Sequence, residues 1–329
     1  MSFSFAFRSL IRTFAHRMQT ITLSHDTHLE GYHAATIGFF DGVHLGHQFL
    51  LGRLCDVAHE RGMKSMAVTF DRHPRQVVHS DWQPLLLTTL TEKQRLLALT
   101  GIDVLVVLSF TEEMARLSAR QFMEQVLVNQ LGVALLLTGY DNRFGHDRSE
   151  TFADYEGYGH ELGIDVMVAP CYEASLPHTP SSSAIRRLLS AGNVKQASQL
   201  LGRPYTIRGT VVHGRQVGRQ MGFPTANIRP EEPCQIIPRE GVYAVRVSLE
   251  GDGRCFMGIT NIGRRPTFGT DGEQTIETNI LDFTGELYHS TLQITFVDRL
   301  RDERAFDTLG ELTRQMAIDA EDARRLLTL

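Results

Sequence analysis

Lysine is almost missing from this chain. Only Lys64, Lys93 and Lys195 occur among 329 residues, and every other basic side chain is arginine. Genomic bias is a sufficient cause of the skew, yet any mechanism that needs a lysine has three candidates. None of them stands in the Gly-x-x-x-x-Gly-Lys frame of a P-loop, and the protein-kinase signatures are absent too. A kinase built on this chain must therefore cradle phosphate in another way. Cysteine is scarce: Cys55, Cys171, Cys234 and Cys255 form no CxxC pair and no metal-like spacing, so they read as the reduced thiols of a cytoplasmic protein. There is no basic excess. The formal net charge is -5, against a nucleic-acid partner. No apolar run reaches the length of a bilayer, against a membrane-spanning helix. Internal repeats and low-complexity tracts are also lacking.

What is present is the composition of a soluble globular protein, 42% hydrophobic and 22% charged. Its length implies two domains. Residues 1–17 carry arginines and no acid, and read either as a transit peptide or as a non-native or overlong start. They are expected to form an N-terminal extension, with disorder left open. Met18 begins "MQTITL", which reads as a first strand. The runs "HAATIGFF", "SMAVTF", "VLVVLSF", "ALLLTGY" and "DVMVAP" then alternate with amphipathic stretches such as "LGRLCDVAHERG", "TEKQRLLALTG" and "SARQFMEQVLVNQLG". Short apolar strands alternating with helices mean a parallel sheet covered on both faces. The helices end at Gly62, Gly101 and Gly132, as a left-handed C-terminal cap favours.

Past residue 187 the pattern changes. Residues 188–203 read as a helical linker, and 204–329 as a second domain of strands with turns at Gly, Asp and Pro. Val245, Val247 and Leu249 alternate with Ala244, Arg246 and Ser248, and Leu292, Ile294 and Phe296 repeat that period of two, which implies an antiparallel barrel or sandwich. Phe306, Leu309, Leu312 and Met316 have helical spacing, predicting a helix from about Glu303 to the end.

Chemistry concentrates where the first long strand becomes a helix, in "TIGFFDGVHLGHQFLL". His44 and His47 fall one turn apart near a helix N-terminus, where free N–H groups attract anions. Gly42 and Gly46 would let a phosphate approach the backbone. A lone histidine is more often structural. The full arrangement after a strand is more specific, and with no third ligand nearby it favours phosphate over metal.

"GFFDGVHLGH" resembles the HxGH signature of the nucleotidyltransferase superfamily, and its lead-in resembles the adenylyltransferase module of bacterial bifunctional riboflavin kinase/FAD synthetases. "TFDRHP" resembles that family's TFDPHP, with Arg72 in place of a proline. "TGYDNRFGHDRS" resembles its second glycine-rich loop, and "SSSAIR" its SSTxIR motif. The resemblance implies a Rossmann-like α/β domain over residues 18–187 that transfers AMP from ATP to FMN. It implies that His44 and His47 are catalytic, that Gly38, Phe39, Asp41, Gly46, Ser181, Ser182 and Arg186 hold ATP or its phosphates, and that Asp71, His73, Asp141, Arg143 and Phe144 meet the flavin. Asp141, Arg143 and Phe144 read equally well as turn or core residues, and Ser181 as an ordinary helix cap. Arg72 and Asn142 depart from the commonest pattern and bear on flavin contact.

"HGRQVGRQMGFPTANI" resembles the riboflavin kinase signature of the same family. The implied second domain is a six-stranded antiparallel barrel with a C-terminal helix. Gly214, Gly218, Arg219, Gly222 and Pro224 would border ATP, while Thr225 and Asn227 offer the hard oxygens that Mg²⁺ prefers. "TIETNILDFTGELY" resembles the strand of the catalytic glutamate and puts Glu277 in that role, with Asp282 and Glu286 as weaker rivals. "GITNIGRRPTFG" also matches, with Arg264 or Arg265 touching phosphate. The implied function is bifunctional: riboflavin to FMN with ATP, then FMN to FAD with release of pyrophosphate. Mg²⁺ with ATP, riboflavin, FMN and FAD are the ligands. Neither nucleic acid nor membrane is an expected partner, and self-association is left open. Alternatives are an enzyme with one active half, a flavin-binding regulator, and an RNA-directed relative of class I aminoacyl-tRNA synthetases. The last would want a KMSKS-like lysine loop, which three lysines do not supply.

Overall fold

The computed structural model describes residues 18–73, 76–77, 85–139, 143–146, 150–172, 179–213, 224–264 and 274–328. The extension at 1–17 lies outside them. Contacts divide the chain into two compact units: Met1–Phe39, Leu50–Val78 and Gln94–Cys171 form the first, and Phe40–Phe49, His79–Lys93 and Tyr172–Leu329 the second.

The first unit is built on a parallel sheet. Its strands are β1 (Gln19–Thr22), β2 (His33–Ile37), β3 (Lys64–Phe70), β4 (Val104–Leu108), β5 (Val133–Thr138) and β6 (Asp165–Val168), in the order β1-β4-β3-β2-β5-β6. Every pairing is parallel. All five residues of β2 and of β4 are buried, as strands covered on both faces must be. Ala35, Met66, Val106 and Leu136 meet Phe122, Leu127 and Tyr155 in one core. The chain winds from β2 through α1 (Leu45–Glu60) to β3 on one side, while β5 lies on the other. Strand order reverses beside β2, and sheets of this kind bind ligands at the carboxyl ends next to such a reversal.

Helices α2 (Leu90–Ala98), α3 (Glu112–Arg116), α4 (Ala119–Phe122) and α5 (Phe152–Leu162) complete the alternation. The helix expected over 118–132 is split in kind: α4 opens with a capping box at Ser118 and continues as a π-helix over Met123–Val128. Gly62, Gly101 and Gly132 are left-handed at φ +66°, +85° and +59°, as their reading as caps requires.

The second unit holds a closed barrel of β7 (Tyr205–Val212), β8 (Thr225–Pro230), β9 (Gly241–Leu249), β10 (Cys255–Arg264), β11 (Gln274–Ile280) and β12 (Thr291–Arg301), ordered β10-β11-β8-β7-β12-β9. All six pairings are antiparallel. β8 arises from "TANIRP", which begins inside the stretch that resembles the riboflavin kinase signature. Inward residues such as Val245, Val247, Ile276, Leu292, Ile294 and Phe296 fill the lumen. The stretch read as a helical linker holds the end of α6 (Ser182–Ser190) and all of α7 (Val194–Leu201), and Ile185, Leu189, Val194, Ala197, Leu200 and Leu201 of these helices share the barrel's core. They are an integral layer, because each carries a continuous apolar stripe. The C-terminal helix α8 spans Leu309–Thr328 and begins later than its periodicity suggested. Phe306 is outside it, with the guanidinium of Arg304 4.8 Å from its ring centre. Ala320, Ala323 and Leu327 pack on Val242, Ala244 and Ile259 of the barrel's outer face.

Close packing favours glycine at position 159 in α5. A Cβ there would meet Val166 Cγ2 at 2.5 Å and the Ile164 carbonyl oxygen at 2.6 Å. Alanine gains about 1 kcal/mol of helix propensity, whereas overpacking costs about 1–3 kcal/mol. Backbone cannot yield as a side chain can, so the clash wins. Gly159→Ala is expected to lower unfolding free energy by about 1 kcal/mol, read as a lower denaturant midpoint; an unchanged or raised midpoint contradicts this.

Candidate active sites

In the second unit, the loop 40–49 is held in a strained form. Phe40, Gly42 and Val43 have φ of 51°, 78° and 38°. Positive φ is unusual for phenylalanine and more so for a β-branched valine. Between them sits Asp41, 3% exposed. Its carboxylate accepts from Leu87 N at 2.9 Å and Thr88 N at 3.2 Å, and pairs with the Arg186 guanidinium. Gly42 N donates to Thr88 Oγ1 at 3.1 Å, and the Ser182 hydroxyl donates to the Asp41 carbonyl at 2.9 Å. Burial pushes the Asp41 carboxyl up, while Arg186 and the Leu87 and Thr88 amides pull it the other way. Arg186 also donates through Nε to Leu85 O at 2.6 Å.

That frame presents the two histidines. The His44 and His47 rings stack at 3.7 Å between centroids and 19° between planes. Phe40 meets His47 edge-on at 5.3 Å. A Cβ on Gly46 would come within 3.2 Å of the His44 ring, so this glycine gives the ring its space. Burial lowers the His44 pKa to about 4, with Arg203 and Arg186 acting in the same sense. Burial, His44 and Lys93 hold His47 well below the ordinary histidine value. Both imidazoles are therefore neutral at pH 7. His47 Nδ1 is buried and has no hydrogen-bond partner among the described residues. A buried polar atom left unmatched calls for an explanation, and beside a candidate phosphate site a ligand atom is one. Ser181 caps α6 by accepting from Ala184 N at 3.2 Å.

In the first unit, Gly38, Phe39, Asp71 and His73 lie just past the carboxyl ends of β2 and β3. Gly38 N donates to Val68 O at 3.0 Å, and Thr69 Oγ1 to Phe39 O at 3.2 Å. The Phe39 and His73 rings meet at 4.8 Å. Asp71 accepts from Phe110 N at 3.1 Å and lies 3.6 Å from Arg72 Nε. Phe144 stacks on Tyr155 at 4.5 Å and exchanges backbone bonds with its hydroxyl. Arg143 lines a cavity of about 120 Å³ with Thr138, Glu150 and Tyr155. Asp141 and Asn142 lie outside the described residues.

On the barrel, register brings the kinase candidates together. Glu277 is the partner of Asn227 on β8 and of Asn261 on β10, and Asn279 is the partner of Thr225. Facing residues of an antiparallel pair share a side of the sheet. Glu277, Asn279, Asn261 and Thr225 border a cavity of about 480 Å³ that Phe306, Leu309, Leu312 and Met316 wall with apolar surface. Within it, Arg301 is bidentate on Asp319, with Nε to Oδ1 2.9 Å and Nη2 to Oδ2 2.7 Å. A second cavity, about 550 Å³, is bordered by Pro224, Thr225, Thr278, Phe283 and Tyr288. Thr225 borders both. Arg264 is paired with Glu240 at 2.6 Å. Gly214, Gly218, Arg219, Gly222 and Arg265 lie outside the described residues.

Sequence reasoning missed Leu87, Thr88 and Lys93 beside the histidine loop, and Asn261, Asn279 and Glu303 beside Glu277. Glu303 accepts from Asn261 at 3.2 Å. Lys93 is only 3% exposed, and being one of three lysines was its available signal.

Comparison with known proteins decides the family. Residues 27–183 match the family model described as FAD synthetase, and residues 201–327 the one described as riboflavin kinase. The bifunctional riboflavin kinase/FMN adenylyltransferase of Pseudomonas fluorescens is 38% identical over 292 residues, 89% of this chain and 92% of that protein. This chain belongs to the bifunctional riboflavin kinase/FMN adenylyltransferase family. The Bacillus subtilis (strain 168) member is 37% identical over 319 residues, covering 94% of this chain and 98% of its own. A crystal structure named as a macrolide-efflux protein from Streptococcus pneumoniae superposes with a TM-score of 0.84 at 30% identity, covering 93% of this chain and 99% of that one. Among the described residues here, no helix is long and apolar enough to cross a membrane.

The neutral histidines carry a pH signature. An unfolded imidazole titrates near 6.5, so between about pH 4 and 6.5 the unfolded chain binds the proton that folded His44 refuses. The stability concerned is complete above about pH 6.5 and lost as pH falls toward 4, and for His44 alone reaches about 3 kcal/mol. His44→Gln is expected to flatten the decline in denaturant midpoint between pH 7 and pH 4.5. Equal declines in variant and parent would show that His44 is not held neutral by the fold.

Proposed function

We propose that the histidine loop transfers AMP and the barrel transfers phosphate, so that this chain converts riboflavin to FMN and FMN to FAD. The observation that carries the division is that the two residue sets sit in separate cradles, each with groups suited to one reaction. In the kinase reaction the cavity beside Glu277 takes riboflavin. Its apolar wall suits the ring system, and its asparagines suit the ribityl hydroxyls. The neighbouring cavity takes ATP, with Phe283 and Tyr288 against the base. Thr225 stands where the two meet. Glu277 accepts the proton of the ribityl hydroxyl as its oxygen bonds to the γ-phosphorus and ADP departs.

The hydroxyl of Thr225 and the amide of Asn227, next to the Glu277 carboxylate, are hard oxygen donors that fit Mg²⁺. Among the described residues no group of three or more His, Cys, Asp or Glu could hold a metal ion. When bound, the ion neutralises charge on the phosphates.

In adenylyl transfer an FMN phosphate oxygen attacks the α-phosphorus and pyrophosphate leaves. His44 and His47 donate N–H groups to oxygens that gain charge, His47 through the atom that otherwise lacks a partner. Arg186 supplies the permanent cation, and the amides at the start of α6 receive phosphate. In the second unit Gly46, Ser181 and Ser182 are the candidates for contact with the nucleotide; the first unit offers its own candidates, Gly38 and Phe39 for nucleotide and Asp71, His73, Arg143 and Phe144 for flavin. The proposed setting is the cytoplasm.

Purified protein given riboflavin and Mg–ATP is expected to make FMN and then FAD; FMN alone overturns the bifunctional reading. His47→Ala is expected to lose FAD formation and keep FMN formation. Glu277→Gln is expected to do the reverse, with phosphorylation slowed by about 10²–10⁴-fold and supplied FMN still adenylylated. Chromatographic separation of the flavins reads both, and loss of both activities in either variant contradicts the division.

A further inference from the structure

Why Asp41 keeps its place is not explained by the loop alone. Its amide partners, Leu87 and Thr88, belong to the short segment 85–88. That segment is held in turn by the barrel. Leu86 forms a parallel bridge with Gln235: Leu86 N donates to Cys234 O at 2.7 Å, and Ile236 N donates to Leu86 O at 2.8 Å. The buried Gln235 amide also donates to Thr206 O on β7 at 2.9 Å and approaches Leu87 O at 3.4 Å. The Leu87 side chain, 1% exposed, is part of the core that fills the barrel. Leu87 also packs where a Cβ on Gly42 would be, 2.7 Å from its Cδ1, so it braces the left-handed turn directly.

We propose that residues 85–88 are a brace through which the kinase barrel sets the histidine loop, so that adenylyl transfer requires the barrel segment Cys234–Ile236 even though phosphoryl transfer uses none of the brace. This rests on the assignment of adenylyl transfer to His44 and His47. The chain of contacts is continuous and short: two backbone bonds from barrel to Leu86, two from Leu87 and Thr88 to Asp41, and one ion pair from Asp41 to Arg186. Each link fixes a group on the next. The same segment holds Arg186 a second time, through the Leu85 carbonyl. Leu86 and Gln235 are thus positioning residues with no contact to a reacting atom. Small misplacements of catalytic groups lower rates steeply, by about a hundredfold for 1 Å, so the brace need only slip for adenylylation to fail.

The test uses the full chain. Leu86→Pro deletes the N–H donated to Cys234, Leu86→Ala keeps it, and Gln235→Leu removes the amide donor while filling its space. With FMN and Mg–ATP supplied, Leu86→Pro and Gln235→Leu are expected to lower kcat for FAD formation by about tenfold or more, with the KM for FMN little changed. FMN formation from riboflavin stays within about twofold of the parent, and Leu86→Ala retains both activities. The ratio of the two kcat values, measured well below the melting temperature, separates this from a general loss of stability, which would lower both together. Normal FAD formation in Leu86→Pro and Gln235→Leu, or a parallel fall of both activities in Gln235→Leu, overturns the proposal. If the parent itself makes no FAD, the assignment of the histidine loop fails instead, and the variants are not needed to show it.

Discussion

One buried carboxylate organises the histidine loop. Asp41 is removed from water and surrounded by the amides of Leu87 and Thr88 and the guanidinium of Arg186. Hydrogen bonds to a charged group contribute about 1.5–3 kcal/mol each. Left-handed non-glycine residues cost about 1–3 kcal/mol each, and Phe40 and Val43 are two of them. The two sums are of the same size. The loop can therefore persist in this form only while its carboxylate is matched, and the stacked geometry of His44 and His47 depends on that match.

The barrel solves a different problem by simpler means. Alternation along β8 and β11 sends neighbouring side chains to opposite faces. Glu277 borders the cavity under the C-terminal helix, and Thr278 the other cavity. One strand pair thus separates the two cavities, which share Thr225 at their edge; in the proposed reaction this would keep two ligands apart except there. The C-terminal helix that roofs the first cavity is fastened by Arg301 on Asp319, which is itself buried and further bonded to Gln315. A bidentate pair of this kind fixes direction as well as distance, so the roof has one seating.

Much of this was legible in the sequence, and the reason differs between parts. β2 through β6 and most of the barrel could be read because burial writes a period into the chain. β8 was concealed because "TANIRP" carries a chemical motif over a strand pattern. Phe306 had helical spacing with Leu309 and Leu312, yet periodicity cannot say which turn is the first. His44, His47 and Glu277 were marked by motif. Leu87, Thr88 and Gln235 were not, since two of them act through backbone amides and the third through a contact 148 residues away in sequence. Nothing in one-dimensional order records such a partnership.

The electrostatics then follow from what the chain lacks. With three lysines, permanent charge near the histidines falls to Arg186, Arg203 and the buried Lys93. Burial keeps both imidazoles uncharged, with Arg203 and Arg186 acting in the same sense on His44, and His44 and Lys93 on His47. A neutral imidazole brings an N–H without bringing a proton that can leave. In the proposed reaction, charge growing on phosphate oxygens would then meet fixed guanidinium groups and oriented N–H donors. Neither has to change protonation state as the bond to phosphorus forms. A preorganised site of this kind pays no reorganisation at the moment of reaction, and the carboxylate that makes it so is Asp41, which is already committed to the backbone of the brace.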